Sequence, residues 1–310
     1  MIPKVAIIAE NDWANVGFML NEAINQFTTW VSRCIIKNKH PFGYPYDLIE
    51  ASETRGEALT FLRQAHYYLF VVDFRFRPFN VKLKRYTPKG IWHVGSMYRN
   101  NYAAFERISN FFEDIFLSED LEGLCKGKHR ILNAPYDLDT YQYIGKEWDG
   151  KLIIGHSPSG SADKGTEYFV NATNRLINEG YNIGVDLIQG VQWDESRLRK
   201  KDHHVFFDQI CNYITPKQVE DGCRYMYGVS LLEAGSHGAI CLASHDYGKR
   251  VPFFNVRTED DIYNTIKSLC EGRKNLPKLS KNTRNYIEEH HSYGVISNKL
   301  INIIEKRVYK

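Results

Sequence analysis

The stretch Tyr227-Gly-Val-Ser-Leu-Leu-Glu233-Ala, followed by Gly235, Gly238 and the apolar run Ala239-Ile-Cys-Leu-Ala-Ser244, decides the fold. It reads as a helix opened by a glycine and then a buried strand, one step of a parallel sheet covered by helices. A glycine at the start of a helix leaves backbone N–H groups directed at whatever lies before them, and the helix dipole adds positive potential there. That predicts a diphosphate seat formed by Tyr227, Gly228, Val229 and Ser230. Glu233 lies a little over one turn further, where its carboxylate can accept hydrogen bonds from two neighbouring hydroxyls, such as those of a ribose. The pair reads as a site for a sugar nucleotide.

Working outward, apolar runs of strand length alternate with helical periods in two series. The first has strands at Lys4–Ala9, Ser32–Ile36, Tyr67–Phe74, Gly90–Val94, Asp114–Leu117 and His129–Leu132, with an amphipathic segment over Val16–Trp30. The second has strands at Leu152–His156, Tyr181–Ile188, His204–Phe207, Ala239–Ser244 and Pro252–Val256. Its helices fall at Gly165–Glu179 and near 215–225, 228–236 and 259–271. The polar stretch Leu138–Gly150 separates the two series. Beyond Pro277 the apolar residues keep a helical period, which predicts one long amphipathic helix. The expected organisation is α/β, with two Rossmann-like α/β/α domains facing a cleft. Residues 1–145 form the first and 146–285 the second, and a terminal helix over 286–310 returns to the first.

Composition narrows the function. The 310 residues are 43% hydrophobic and 14% aromatic, enough for two buried cores. A net charge of +3 from 40 basic and 37 acidic residues excludes a general polyanion binder while allowing a local basic face. Six scattered cysteines without a C-x-x-C pair argue against disulfide or zinc frameworks and for a reducing, cytoplasmic setting. No apolar run is long enough to span a bilayer or to act as a signal peptide. The full G-x-G-x-x-G is absent, which disfavours a dinucleotide-binding oxidoreductase.

The segments His156-Ser-Pro-Ser159, Lys164-Gly-Thr-Glu167, Asp208-Gln209 and Tyr227-Gly-Val-Ser-Leu-Leu-Glu233-Ala together resemble the nucleotide-sugar half of GT-B glycosyltransferases. The retaining group that includes glycogen, sucrose and mannosyl transferases is the nearest in pattern. Weaker similarity extends to Asp12-Trp-Ala-Asn-Val-Gly17, His93-Val-Gly-Ser-Met-Tyr-Arg99 and Asn133-Ala-Pro-Tyr-Asp137. The resemblance implies transfer of a sugar from a UDP- or GDP-linked donor to a hydroxyl acceptor, without an essential metal or other cofactor and with retention. Lys164 corresponds to the lysine that steadies the leaving diphosphate, Glu233 to the ribose-binding glutamate, and Ser157 and Ser159 fall in the donor loop. His93 corresponds to a histidine that touches the donor sugar, and Gly17 to a close backbone approach. Tyr225 stands where the retaining group often has a second glutamate that contacts the transferred sugar, so sugar contacts must differ here. A solvated lysine at a helix start, a strand-end histidine and a surface glutamate are the plain alternatives.

The acceptor is least legible. Phe74-Arg-Phe-Arg-Pro-Phe-Asn-Val-Lys-Leu-Lys-Arg85, with Lys89 beyond, interleaves positive charges with aromatic rings. Arg75 and Arg77 in it, and Arg99, are candidate acceptor contacts. Such a segment suits a polysaccharide, an anionic lipid head group, or DNA with a hydroxylated base flipped into the cleft. A solvated loop suits it equally. A sugar-nucleotide epimerase and a non-catalytic sugar-nucleotide or nucleic-acid binding protein are the rival readings. Asp137-Leu-Asp139 spells a DxD motif, but in a polar hinge rather than a cage of carboxylates, so no metal is expected.

Overall fold

The computed structural model describes residues 2–50, 54–72, 77–148 and 150–309. Contacts divide the chain into two compact units. The first comprises Met1–Asp137 with Lys217–Cys223 and His290–Lys310, and the second Leu138–Pro216 with Arg224–Glu289.

The first unit holds a seven-stranded sheet of β1 (Lys4–Asn11), β2 (Val31–Asn38), β3 (Leu48–Ile49), β4 (Tyr67–Val71), β5 (Lys89–His93), β6 (Asp114–Leu117) and β7 (Arg130–Ile131). The spatial order is β3-β2-β1-β4-β5-β6-β7 and every pairing is parallel. Val5 to Ala9 are fully buried, as a strand covered on both faces by helices requires. Its helices are α1 (Val16–Phe27), α2 (Arg55–Gln64) and α3 (Gly95–Ser109).

The second unit has a five-stranded parallel sheet of β8 (Leu152–His156), β9 (Ile183–Leu187), β10 (Val205–Phe207), β11 (Ile240–Ala243) and β12 (Phe254–Asn255), in the order β12-β11-β10-β8-β9. Its helices are α4 (Ser161–Lys164), α5 (Thr166–Asn178), α6 (Trp193–Lys200), α7 (Pro216–Glu220), α8 (Val229–Ser236), α9 (Glu259–Glu271) and α10 (Leu276–His291), with α7 crossing into the first unit. Phe169, Leu176, Ile262 and Ile266 of α5 and α9 pack with Leu152, Ile154, Val205 and Leu242 of the strands in one core.

Three differences from the sequence reading have local causes. The segment expected as one terminal helix is two, α10 and α11 (Tyr293–Val308), broken where Ser292 is extended and Tyr136 accepts the Tyr293 N–H at 3.1 Å. After that break α11 packs in the first unit, its Tyr293 edge-on to Phe27 at 6.4 Å, its Glu305 accepting from Trp30 Nε1 at 3.1 Å and its Arg307 paired with buried Asp114 at 3.1 Å. The helix expected near 215–225 stops at Glu220, and residues 217–223 belong to the first unit. There Tyr102 donates to Asp221, and Gln218 Nε2 donates to the Asn100 side chain at 2.9 Å. The division also falls at Asp137/Leu138 rather than at 145.

Gly155 in β8 is forced by packing. A Cβ there would collide with the imidazole of His203, which is fully buried and bonded to Asp186 at 2.8 Å. Overpacking of this kind costs about 1–3 kcal/mol, so Gly155→Ala should lower the free energy of chemical unfolding by that amount. An unchanged denaturation midpoint would show that the β8–His203 contact is slack.

Candidate functional site

In the second unit β8 and β10 are neighbours although β9 lies between them in sequence. At such a switch point the chain leaves the two carboxyl ends in opposite directions, opening a crevice. His156 ends β8 and Phe207 ends β10, so the loop carrying Ser157 to Lys164 and the pair Asp208-Gln209 meet there. His156 is buried, with Nδ1 hydrogen-bonded to Phe207 O at 3.0 Å and Nε2 to Thr166 Oγ1 at 2.9 Å. Burial pushes its pKa down to about 4, so it is a neutral strut for the loop. Gly165 has φ +72°, and its N–H-bearing turn is closed by the Ile210 N–H donating to Lys164 O at 3.1 Å. Only glycine adopts that turn freely.

This turn delivers Lys164 to the site. Its ammonium donates to Gln209 Oε1 and lies 5.4 Å from the centre of the Tyr213 ring. Gln209 Nε2 donates to Met226 O at 2.6 Å, which links the lysine to the irregular segment that leads into α8. Gly228 opens α8, and its N–H donates to the carboxylate of Asp208. A Cβ on Gly228 would come within 3.1 Å of Asp208 Oδ2, so glycine is what allows this approach. Asp208 is buried. Burial raises its pKa, against which Lys164, the Gly228 N–H and Lys200 all act. The Gly228 N–H that the sequence reading directs at a diphosphate is bonded here by the chain's own carboxylate.

Glu233 is equally engaged. It is buried, pairs with the ammonium of Lys200, and accepts from Tyr141 Oη and Trp193 Nε1 at 3.1 Å each. Lys200 also reaches Ser230 Oγ at 3.4 Å. The surface-glutamate alternative is thus excluded by burial. Lys200, Trp193 and Tyr141 are missed by the sequence reading, which passes over α6. The available signal was its charge order, Asp194 and Glu195 in the first turn and Arg197, Arg199 and Lys200 in the last.

The other expected residues divide. Val229 and Ser230 are half-buried at the start of α8, Ser157 bonds Ser196 Oγ at 3.2 Å, and Ser159 is exposed on the same loop. Tyr227 turns its side chain into an aromatic cluster, its hydroxyl 3.0 Å from that of Tyr286 and its ring edge-on to Phe253 at 4.8 Å. Tyr225 packs under Arg257 at 4.8 Å, and its N–H donates to Asp246 at 2.8 Å.

In the first unit the expectations fare differently. His93 is not presented at the sheet end. It is 1% exposed, lies 4.3 Å from Tyr98 and 4.9 Å from Phe105, and burial drives its pKa down to about 3. Among the described residues neither ring nitrogen has a hydrogen-bond partner, which makes it a neutral core imidazole. Arg99 is not available for an acceptor anion, being buried and paired with Asp120 at 2.8 Å. The Gly17 N–H is occupied by Asp12 Oδ1, and that of Phe18 by Asp12 Oδ2, both at 2.8 Å. Arg77 is exposed, and Arg75 lies outside the described residues. Among the described residues no group of three His, Cys, Asp or Glu is placed to hold a metal ion, and no helix is long and apolar enough to cross a membrane.

No family model matches the sequence, and no curated protein sequence matches it. Solved structures do. Anabaena HepE in complex with UDP-glucose aligns with a TM-score of 0.64 at 8% identity over 98% of this chain and 99% of its own. An alpha-glucosyltransferase in complex with UDP and a mismatch-containing DNA aligns with a TM-score of 0.62 at 12% identity over 97% and 99%. A UDP-N-acetylglucosamine 2-epimerase aligns with a TM-score of 0.56 at 13% identity over 100% and 97%. These likenesses establish the fold: two Rossmann-like, parallel-sheet units of the GT-B, glycosyltransferase-like type.

The Lys200–Glu233 pair fixes how the site must be probed. Glu233→Ala leaves a buried ammonium unpaired, a loss of about 3–5 kcal/mol. The double variant Lys200→Met/Glu233→Leu should recover most of that stability. A single variant as stable as the parent would mean that the pair is solvated.

Proposed function

We propose that the protein transfers a hexosyl or pentosyl group from a UDP-sugar to a hydroxyl acceptor with retention of configuration. The observation that carries this reading is the convergence of Lys164, Lys200 and the Gly228 N–H on one buried carboxylate at the carboxyl ends of β8 and β10. Positive charge and a helix start are gathered where parallel α/β sheets bind ligands. The neighbours named with UDP or UDP-glucose favour a uridine donor.

In this reading the diphosphate takes the Gly228 N–H from Asp208, whose raised pKa makes proton uptake on displacement inexpensive. The bond between the anomeric carbon and the diphosphate oxygen breaks, and charge builds on the leaving group. Lys164 and the α8 dipole stabilise that charge more than the ground state. The acceptor oxygen bonds to the same face of the anomeric carbon, and its proton passes to the departing phosphate. Glu233 Oε2, with one donor from Lys200, retains a lone pair for a ribose hydroxyl. Since lysines and helix supply the cationic charge, transfer is expected to proceed in EDTA.

The test combines thermal stabilisation by nucleotides with UDP release from UDP-sugars in the presence of hydroxyl acceptors. UDP should raise the melting temperature selectively, and Lys164→Ala should cut turnover about 10²–10³-fold while the far-ultraviolet circular dichroism is unchanged. Full turnover in Lys164→Ala, or no stabilisation by any nucleotide, would sink the reading. The epimerase-like neighbour and Tyr225 favour one second reading: conversion of the donor sugar without any acceptor would assign epimerisation instead.

A further inference from the structure

Glu233 is the residue that the sequence reading places on two neighbouring ribose hydroxyls, and its partners within the second unit set how many it can hold. A carboxylate offers about four acceptor positions, two on each oxygen. Oε1 takes the Tyr141 hydroxyl and the Trp193 Nε1–H, both at 3.1 Å, which fills it. Oε2 takes the Lys200 ammonium. Among the described residues no fourth donor reaches the carboxylate, so one acceptor position remains, and it lies on Oε2.

Each of the three donors is held in place. The indole N–H of Trp193 can only donate, and the Arg197 guanidinium lies 5.3 Å from the centre of that ring. Tyr141 is buried, its ring 5.5 Å from the imidazole of His237, which follows α8. Lys200 is buried too, and taking its carboxylate away would strand an unpaired ammonium, a larger loss than a hydroxyl hydrogen bond returns. The same ammonium reaches Ser230 Oγ at 3.4 Å in the first turn of α8, which ties Oε2 to the helix start that carries the Gly228 N–H. Two neighbouring hydroxyls can grip a carboxylate side by side only when both oxygens are open to them. Here one oxygen is closed by the chain itself.

We propose that Glu233 reads a single ribose hydroxyl through Oε2, and that Tyr141 and Trp193, by closing Oε1, make the site accept a nucleoside diphosphate that lacks the other hydroxyl. The donor class thereby widens from ribonucleotides to the deoxyribonucleotides missing that group. This rests on the glycosyl-transfer reading, in which the nucleotide lies at the start of α8. Isothermal titration calorimetry of the full chain with UDP, 2′-deoxy-UDP and 3′-deoxy-UDP tests it. One deoxy analogue should bind within about threefold of UDP, and the other about ten- to a hundredfold more weakly, the loss expected for a hydrogen bond to a charged group. In Glu233→Gln the gap between UDP and the weaker analogue should close to within about threefold. If both analogues lose at least about tenfold, two hydroxyls are held, and if neither loses affinity, none is. Either result overturns the proposal and leaves the nucleotide site standing, as does a gap that persists in folded Glu233→Gln, where the hydroxyl must be held by another group. Should that variant fail to fold, the response of the parent chain to the two analogues decides alone. A parent chain that does not bind UDP defeats the proposal and the transfer reading together.

Discussion

The contact between the Asp208 carboxylate and the Gly228 N–H is the constraint on which the second unit's site depends. It exists because Asp208 follows β10 while α8 leads into the neighbouring β11, so the residue after β10 meets the start of α8. A buried carboxylate is costly unless it is compensated, and here one amide and two lysines compensate it. The start of α8 therefore gathers two lysines and a backbone amide around one buried protein anion. Glu233 and Lys200 extend the same logic along α8, each satisfying the other inside the fold.

The first unit repeats the device with a different outcome. Asp12 follows the first strand and accepts the N–H groups of Gly17 and Phe18 at the start of α1, and burial lifts its pKa to about 6. Among the described residues only those two amides are seen to oppose burial there. A helix start capped by a carboxylate without nearby cations is a poor seat for a diphosphate. The two units thus present the same local geometry with opposite electrostatics. That difference, rather than the shared architecture, distinguishes the two helix starts.

The parallel sheets were legible because buried strands such as Val5–Ala9 and Ile240–Ala243 are unbroken apolar runs between helical periods. The residues gathered by backbone turns, Lys164, Gly228 and Glu233, were legible for the same reason: glycine and charge at fixed offsets from a strand mark the sheet's carboxyl edge. What pattern does not carry is the direction of a side chain. His93 ends β5 as expected yet packs on Tyr98 of α3, and Arg99 meets Asp120, a partner 21 residues along the chain. Lys200 and Trp193 were invisible as site residues because α6 is mostly charged and its link to Glu233 is purely tertiary.

The most direct measurement is a crystal structure of the protein with UDP bound. The account predicts the diphosphate at the Gly228 and Val229 amides beside Lys164, with Asp208 displaced from the Gly228 N–H and Glu233 on the ribose. A diphosphate seated elsewhere, with the Asp208–Gly228 contact intact, would contradict it.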